Sequence, residues 1–191
     1  VYLVSEKNVK LNIPNVISFG RLLSVPVAVW LILHQFHLAA FWIFVAACIS
    51  DAADGYIAKT FDLQTELGGF LDPIADKALL ICVFVTLGQA GLIATWLVIL
   101  VVFRDALIVC GALLYHLLYQ NLAIQIHLVS KLNTTFQFIL AALVLGEAAF
   151  SVLDQFVISG LEYLVGVTTV ASGASYVIIW SHKAIYMEQN E

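Results

Sequence analysis

Long apolar stretches constrain this chain more than any other feature of its sequence. A helix that crosses the hydrocarbon core of a bilayer needs roughly 20 consecutive apolar residues. Runs of that kind lie at residues 15–34, 38–59, 70–88, 92–119, 131–149 and 155–182. The breaks between them carry turn-forming residues such as glycine, asparagine and glutamine. The sequence therefore predicts an all-α fold, a polytopic membrane bundle of six transmembrane helices.

The composition excludes two other classes of protein. Hydrophobic residues make up 62% of the chain and charged residues 11%, whereas a soluble domain has roughly 45–50% and about 25%. The net charge is −5, and without a basic stripe no nucleic-acid partner is expected. The cysteines do not have the spacing of a disulfide framework or a zinc site. They are predicted to be small core residues: Cys48, Cys82 and Cys110.

The positive charges are distributed on one side of the predicted bundle. Six spans place residues 1–14, 59–69, 120–130 and the C-terminus on the same side, and the three opposite loops contain no Lys or Arg. Because Lys and Arg concentrate on the cytoplasmic side, both termini are predicted to be cytoplasmic, with the protein in the cell's inner membrane. Residues 1–14 lack the apolar core of a signal peptide and are predicted to form a cytoplasmic or interfacial segment. The membrane domain is then 15–182, and 183–191 form a cytoplasmic tail.

Four aspartates lie in the second and third spans, where a membrane tolerates few charges. Asp51 and Asp54 are three residues apart, and Asp72 and Asp76 are four residues apart, so each pair shares one helical face. A short loop joins these two antiparallel spans, which allows the four carboxylates to converge at one depth. An acidic residue at the centre of a membrane helix costs about 2.5–3.5 kcal/mol, and mutual repulsion adds to that cost.

A divalent cation would balance this acidic cluster. The ligands are all oxygen, with no nearby His or Cys in the motif, which favours Mg²⁺ or Mn²⁺ over zinc. Helix capping is the alternative, above all for Asp72, which precedes Pro73 at the predicted start of the third span. A cation transporter that uses the aspartates as an ion site is a further alternative. Such proteins have discontinuous helices and paired half-repeats, and the sequence shows neither.

The segment from Asp51 to Asp76 reads D-x2-D-G-x2-A-K-x8-G-x3-D-x3-D. This pattern resembles the signature of the CDP-alcohol phosphotransferases, integral membrane enzymes that synthesise phospholipids, and the six-span layout resembles that family as well. One position differs, because the family usually has Arg where this chain has Lys59. A lysine keeps the charge of an arginine but loses its bidentate fork.

The resemblance implies a reaction and a set of site residues. Two divalent ions would be held on the pyrophosphate of CDP-diacylglycerol by Asp51, Asp54, Asp72 and Asp76. Asp76 would also deprotonate the acceptor hydroxyl, whose oxygen attacks the β-phosphorus and displaces CMP. The residues implied for binding the CDP-lipid are Asn15, Ser18, Arg21, Asp54, Gly55, Ala58, Lys59 and Gly68. For Asn15, Ser18 and Arg21 the alternative is a set of interfacial polar residues with a snorkelling arginine. The family also implies a homodimer.

Positively charged residues in the fourth and fifth spans indicate which alcohol accepts the phosphatidyl group. An arginine inside the membrane, here Arg104, is expected to face the bundle and bind an anion, although pairing with Asp105 is an alternative. Ser130, Lys131 and Thr134 resemble the family's acceptor-phosphate segment, and a helix-start cap with a snorkelling lysine is their alternative. The sequence around Arg104 and Lys131 resembles the CMP-forming cardiolipin synthases, whose acceptor is phosphatidylglycerol. Phosphatidylglycerophosphate synthases, which use glycerol 3-phosphate, are the other candidates.

Overall fold

Six α-helices form the chain in a computed structural model that describes residues 13–60, 66–119 and 128–188, with side chains described within 18–51, 75–111 and 129–178. The described residues contain no β-strand, which confirms the all-α class. The helices are α1 (Ile13–Leu33), α2 (His37–Thr60), α3 (Glu66–Gln89), α4 (Thr95–Tyr119), α5 (Leu128–Phe150) and α6 (Gln155–Glu188).

Each predicted span coincides with one helix, and the two largest differences lie at the end of α6 and the start of α3. Helix α6 continues to Glu188, so part of the predicted tail at 183–191 is helical. Helix α3 begins at Glu66, ahead of the predicted start at residue 70. Asp72 therefore lies inside α3 and is not its N-cap, which removes the capping alternative for this aspartate. The predicted terminal segment at 1–14 lies almost entirely outside the described residues.

The helices pack around one apolar core. Helix α1 contacts α2 and α3 most extensively, α5 contacts α2 and α6, and α4 contacts α6 and α3. Large buried side chains at the centre come from α2 to α5: Phe44, Leu79, Phe84, Leu97 and Leu140. This arrangement places the middle of α3 between α1 on one side and α4 on the other.

Left-handed residues and a side-chain hydrogen bond stabilise the turns at one end of the bundle. Gln35 and Gly91 follow α1 and α3 with φ angles of 62° and 73°, the left-handed conformation that commonly ends a helix. The carboxylate of Glu162 accepts a hydrogen bond from the Ala94 N–H at 2.9 Å. These contacts satisfy backbone groups at helix ends that would otherwise lack partners.

The outer surface of the bundle is strongly apolar. Each helix exposes large apolar side chains, among them Trp42, Val85, Phe103, Leu132 and Phe156, whereas a soluble monomer rarely exposes large contiguous apolar patches. Two described segments are long and apolar enough to cross a membrane, Val129–Phe150 and Gln155–Ile178, and two shorter apolar stretches precede them. This exterior fits a bilayer, and the six crossings remain a prediction.

Candidate active site

Three helices bring two of the predicted site aspartates onto one arginine. The Arg21 Nη1 atom on α1 donates a hydrogen bond to Asp51 Oδ1 on α2 at 2.6 Å. The same nitrogen donates to Asp76 Oδ1 on α3. The Arg21 side chain is 1% exposed, while those of Asp51 and Asp76 are 43% and 30% exposed. The carboxylates of two different helices therefore meet at a single buried cation.

A small cavity lies next to this junction. Its volume is about 130 Å³, and its lining consists of Arg21, Ala47, Cys48, Asp51, Asp76, Leu79 and Phe138. Ala47 precedes Asp51 by four residues, so its methyl group lies on the same face of α2 and leaves space beside the carboxylate. The cavity gives a small ligand access to the oxygen atoms of both aspartates.

The donor atoms at this cavity fit a hard divalent cation. Two carboxylates that both contact one guanidinium lie close enough to repel each other unless a positive charge stays between them. Carboxylate oxygens are the ligands that Mg²⁺ and Mn²⁺ prefer. Within the described side chains, no group of three or more His, Cys, Asp or Glu is placed to hold a metal ion. Asp54 and Asp72 lie in α2 and α3, but their side chains fall outside the described residues.

The first helix contributes buried residues to the site. Ser18 and Arg21 are 0% and 3% exposed, and the Arg21 guanidinium faces the aspartates. This burial excludes the snorkelling alternative for Arg21, because a snorkelling arginine keeps its charged end in water. Other predicted CDP-lipid residues are placed only by their helices, with side chains outside the described residues: Asn15 in α1, Gly55, Ala58 and Lys59 in α2, and Gly68 in α3.

A second polar cluster surrounds Arg104 in α4. The Arg104 Nη1 atom donates to Asp105 Oδ1 at 2.7 Å, and Nη2 donates to the hydroxyls of Ser130 and Ser172 at 2.5 Å each. Arg104 and Asp105 are 4% and 2% exposed. The alternative of pairing between Arg104 and Asp105 is thus present in the structure. The acceptor role of Arg104 stays a prediction.

Lysine 131 is placed differently from Arg104. Lys131 is exposed, and its neighbour Ser130 is the α5 residue that reaches Arg104. Ser130 lies inside α5, and the Thr134 hydroxyl donates to the Ser130 carbonyl at 3.1 Å. The helix-start cap is therefore not what these residues form. The structure brings Ser130, and not Lys131, into the Arg104 cluster.

Two residues of this cluster escaped the sequence prediction of the site. Lys77 Nζ on α3 lies 2.8 Å from Asp105 Oδ1, and Ser172 on α6 contacts both Nε and Nη2 of Arg104. The sequence offered two signals of this contact: a lysine directly follows Asp76, and an aspartate directly follows Arg104. Sequence spacing does not reveal that these residues meet, because they lie on different helices.

Comparisons with known proteins show which family the sequence resembles. The sequence model of the family described as CDP-alcohol phosphatidyltransferase matches residues 11–180. A cardiolipin synthase (CMP-forming)/mitochondrial hydrolase fusion protein of Schizosaccharomyces pombe is 35% identical over 184 residues, which are 87% of this chain and 31% of that protein.

Two further relatives carry the names of different enzymes. A chloroplastic CDP-diacylglycerol–glycerol-3-phosphate 3-phosphatidyltransferase of Oryza sativa is 36% identical over 87% of this chain and 56% of its own length. The human cardiolipin synthase (CMP-forming) is 31% identical over 86% of this chain and 60% of its own length. The chain thus spans less than two thirds of these relatives. Because the family match covers most of its length, the chain belongs to the CDP-alcohol phosphatidyltransferase family.

Proposed function

We propose that the protein transfers the phosphatidyl group of CDP-diacylglycerol to the hydroxyl of an alcohol and releases CMP. The observation that carries this proposal is the convergence of Asp51 and Asp76 on Arg21 beside a cavity. Carboxylates at that position suit both cation binding and proton abstraction. The family match gives the class of reaction for which the two roles are needed.

Different residues of the chain are proposed to carry out different parts of the reaction. Asp76 takes the proton of the acceptor hydroxyl, whose oxygen then forms a bond to the β-phosphorus as the bond to CMP breaks. Asp51, Asp54, Asp72 and Asp76 would hold two Mg²⁺ or Mn²⁺ ions, which would supply positive charge to the reacting phosphate group. Arg21 supplies a fixed positive charge between Asp51 and Asp76, where it lies close to the diphosphate.

The CDP-lipid is bound along the ends of the first three helices. Ser18 and Arg21 are buried at this end of α1, and the glycine and alanine positions of the motif leave room for the nucleotide. The proposed CDP-lipid residues are Asn15, Ser18, Arg21, Asp54, Gly55, Ala58, Lys59 and Gly68. Lys59 would contact phosphate as a point charge, without the bidentate geometry of an arginine.

Phosphatidylglycerol is the proposed acceptor, which makes cardiolipin the product. Relatives from Schizosaccharomyces pombe and human that carry the cardiolipin synthase name support this choice. Glycerol 3-phosphate is the second candidate, supported by the rice relative at 36% identity. Arg104, Lys131 and Thr134 are proposed to bind the phosphate that both acceptors carry. The enzyme is proposed to span the cell's inner membrane as a homodimer, with its active site facing the cytoplasm.

A competition assay tests both the reaction and the acceptor. Purified protein receives CDP-diacylglycerol, Mg²⁺ or Mn²⁺, and equal amounts of phosphatidylglycerol and glycerol 3-phosphate, and the lipid products are separated. We expect CMP release with cardiolipin as the main product. Phosphatidylglycerophosphate as the main product would overturn the acceptor and leave the reaction class intact. If no CMP forms with any alcohol, the proposed function is wrong.

A further inference from the structure

Lys77, Asp105 and Arg104 form a buried charged cluster that the catalytic scheme does not use. We propose that Lys77 is a further acceptor-binding residue, which contacts the anionic group of the acceptor, and that Asp105 is the positioning residue that holds it beside Arg104. This inference rests on the proposed function and adds a residue and its orienting partner to the acceptor side of the site.

One carboxylate oxygen holds both cations of the cluster. Asp105 Oδ1 lies 2.8 Å from Lys77 Nζ and 2.7 Å from Arg104 Nη1. The lysine comes from α3 and the arginine from α4, so Asp105 joins the two helices at this point. Two cations that share a single oxygen atom lie close together, and their mutual repulsion favours a second anion between or beside them.

Within the cluster itself the cations outnumber the anions. Lys77 and Arg104 carry two positive charges against the one negative charge of Asp105. The carboxylate of the neighbouring Asp76 is already paired with Arg21. The remaining partners of Arg104 are the neutral hydroxyls of Ser130 and Ser172. Asp105 and Arg104 are almost fully buried, where an unbalanced charge is costly. An anion that enters the cluster would remove the excess positive charge.

Lys77 is the member of the cluster that retains hydrogen-bonding capacity. Each nitrogen of the Arg104 guanidinium already has a partner within the described residues. The ammonium group of Lys77 is buried and touches Asp105, and its donors make no hydrogen bond of good geometry with the described residues. An ammonium group has three N–H donors, so this group has donors left for an incoming oxyanion.

The position of Lys77 in α3 links the cluster to the reacting atoms. Lys77 directly follows Asp76, which is the proposed base for the acceptor hydroxyl. Its side chain is 35% exposed, far more than that of Arg104 or Asp105, and the exposed part is the aliphatic stem, because Nζ itself is buried. Asp76 contacts α1, while Lys77 contacts α4. In the proposed complex the hydroxyl of the acceptor lies at Asp76 and its anionic group at Lys77.

Steady-state kinetics on the purified full chain tests this role. Lys77→Met keeps the length of the side chain and removes its charge, whereas Lys77→Arg keeps the charge. We expect Lys77→Met to raise the KM for the acceptor about tenfold or more, as for loss of a charge-assisted contact, with the KM for CDP-diacylglycerol changed less than about twofold. Lys77→Arg should recover most of the acceptor KM. Lys183→Met, which removes a lysine far from Lys77 in the sequence, is the control.

Asp105→Asn tests the positioning role. If Asp105 acts through Lys77, Asp105→Asn should raise the acceptor KM, and its effect should be smaller in the Lys77→Met background than in the wild type, with the remainder coming from Arg104, which Asp105 also contacts. Additive effects of the two substitutions would overturn the positioning role. An unchanged acceptor KM in Lys77→Met, or an equal rise for CDP-diacylglycerol, would overturn the binding role.

A measurement without turnover separates this inference from the proposed function. Inorganic phosphate should raise the Tm of the wild type, because it binds the folded cluster, and this shift should be lost in Lys77→Met and kept in Lys77→Arg. An equal shift in Lys77→Met and the wild type would overturn the inference even for an active enzyme. If Lys77→Met does not fold, the same comparison uses Asp105→Asn, for which a full phosphate shift would be the contradicting result.

Discussion

Arg21 joins the first three helices at the proposed site. Its guanidinium is buried and contacts carboxylates that come from α2 and α3. A buried ion pair is costly to break, because removal of one partner leaves an uncompensated charge. Arg21 thus has a structural role, to hold three helices together, in addition to its proposed contact with the CDP-lipid.

Two substitutions of Arg21 test separately the positive charge of the side chain and the planar geometry of its guanidinium. We expect Arg21→Met to lower the Tm and abolish CMP release, because Asp51 and Asp76 lose their shared cation. Arg21→Lys should retain more of the Tm but little activity, since an ammonium group does not reproduce the planar fork of a guanidinium. Thermal unfolding and CMP release are measured together. Wild-type activity in Arg21→Met would contradict the proposed role.

The two described aspartates are expected to differ in what they bind. Asp51→Asn removes a cation ligand, so it should weaken binding of CDP-diacylglycerol in the presence of Mg²⁺. Asp76→Asn should abolish turnover yet bind the donor better than Asp51→Asn does, because Asp76 is also the proposed base. The measurement is binding of labelled CDP-diacylglycerol to each variant, with Asp154→Asn as a control on the opposite turn. An equal loss in both variants would remove the special role of Asp76.

The sequence predicts which residues belong to the site better than it predicts their partners. The motif spacing places Asp51 and Asp76 on adjacent helices, and the structure brings both to one cavity. Their shared contact with Arg21 joins three helices, and the sequence had indicated only that Arg21 lies near lipid phosphates. The contact between Lys77 and Asp105 depends on the rotation of α3 against α4, which no pattern along the chain specifies.

At the scale of the helices, apolar runs predict the elements but not their ends. The runs coincide with α1 to α6 because a long apolar segment has no better way to satisfy its backbone in lipid than a helix. Helix α3 begins earlier than its apolar run, and α6 ends later. The α6 extension contains polar residues of ordinary helix propensity, whereas the α3 extension includes Gly68 and Gly69, whose low helix propensity gives no sign of a helix.

The contact between α3 and α4 near their turn depends on a glycine. A methyl group added at Gly88 would lie 2.6 Å from Val98 Cγ2, closer than two carbon atoms pack. We expect Gly88→Ala to destabilise the protein by about 1–3 kcal/mol through overpacking, and Val98→Ala in the same chain to restore part of that loss.

Thermal unfolding of the purified protein measures the effect of Gly88→Ala. Gly160→Ala is the matched control, because a methyl group there meets nothing within 4 Å. Alanine is favoured over glycine in a helix by about 1 kcal/mol, so the control should unfold at the same or a higher temperature. If Gly88→Ala is as stable as the control, this result contradicts the close packing of α3 against α4 at Gly88.

At the scale of the whole molecule, charge and apolar surface together define how the bundle sits in a bilayer. The turns after α1, α3 and α5 contain no Lys or Arg, while the chain's basic residues lie toward the other end. The Asp51–Arg21–Asp76 junction lies nearer to that basic end, in the last part of α2 and the first part of α3. If that basic end is cytoplasmic, as the charge distribution predicts, the proposed active site faces the cytoplasm.

Cysteine labelling tests this orientation on the intact membrane protein. In a variant with Cys48, Cys82 and Cys110 replaced by alanine, a single cysteine is introduced as Ala90→Cys, Asp154→Cys or Asn190→Cys. Ala90 and Asp154 are exposed at the turns that lack basic residues, and residue 190 lies next to the C-terminus. Because Lys and Arg concentrate on the cytoplasmic side, a membrane-impermeant maleimide should label the first two in sealed cells. It should label Asn190→Cys only after the membrane is opened. Labelling of Asn190→Cys in sealed cells, with Ala90→Cys and Asp154→Cys protected, would reverse the orientation and place the aspartates on the wrong side for a cytoplasmic substrate.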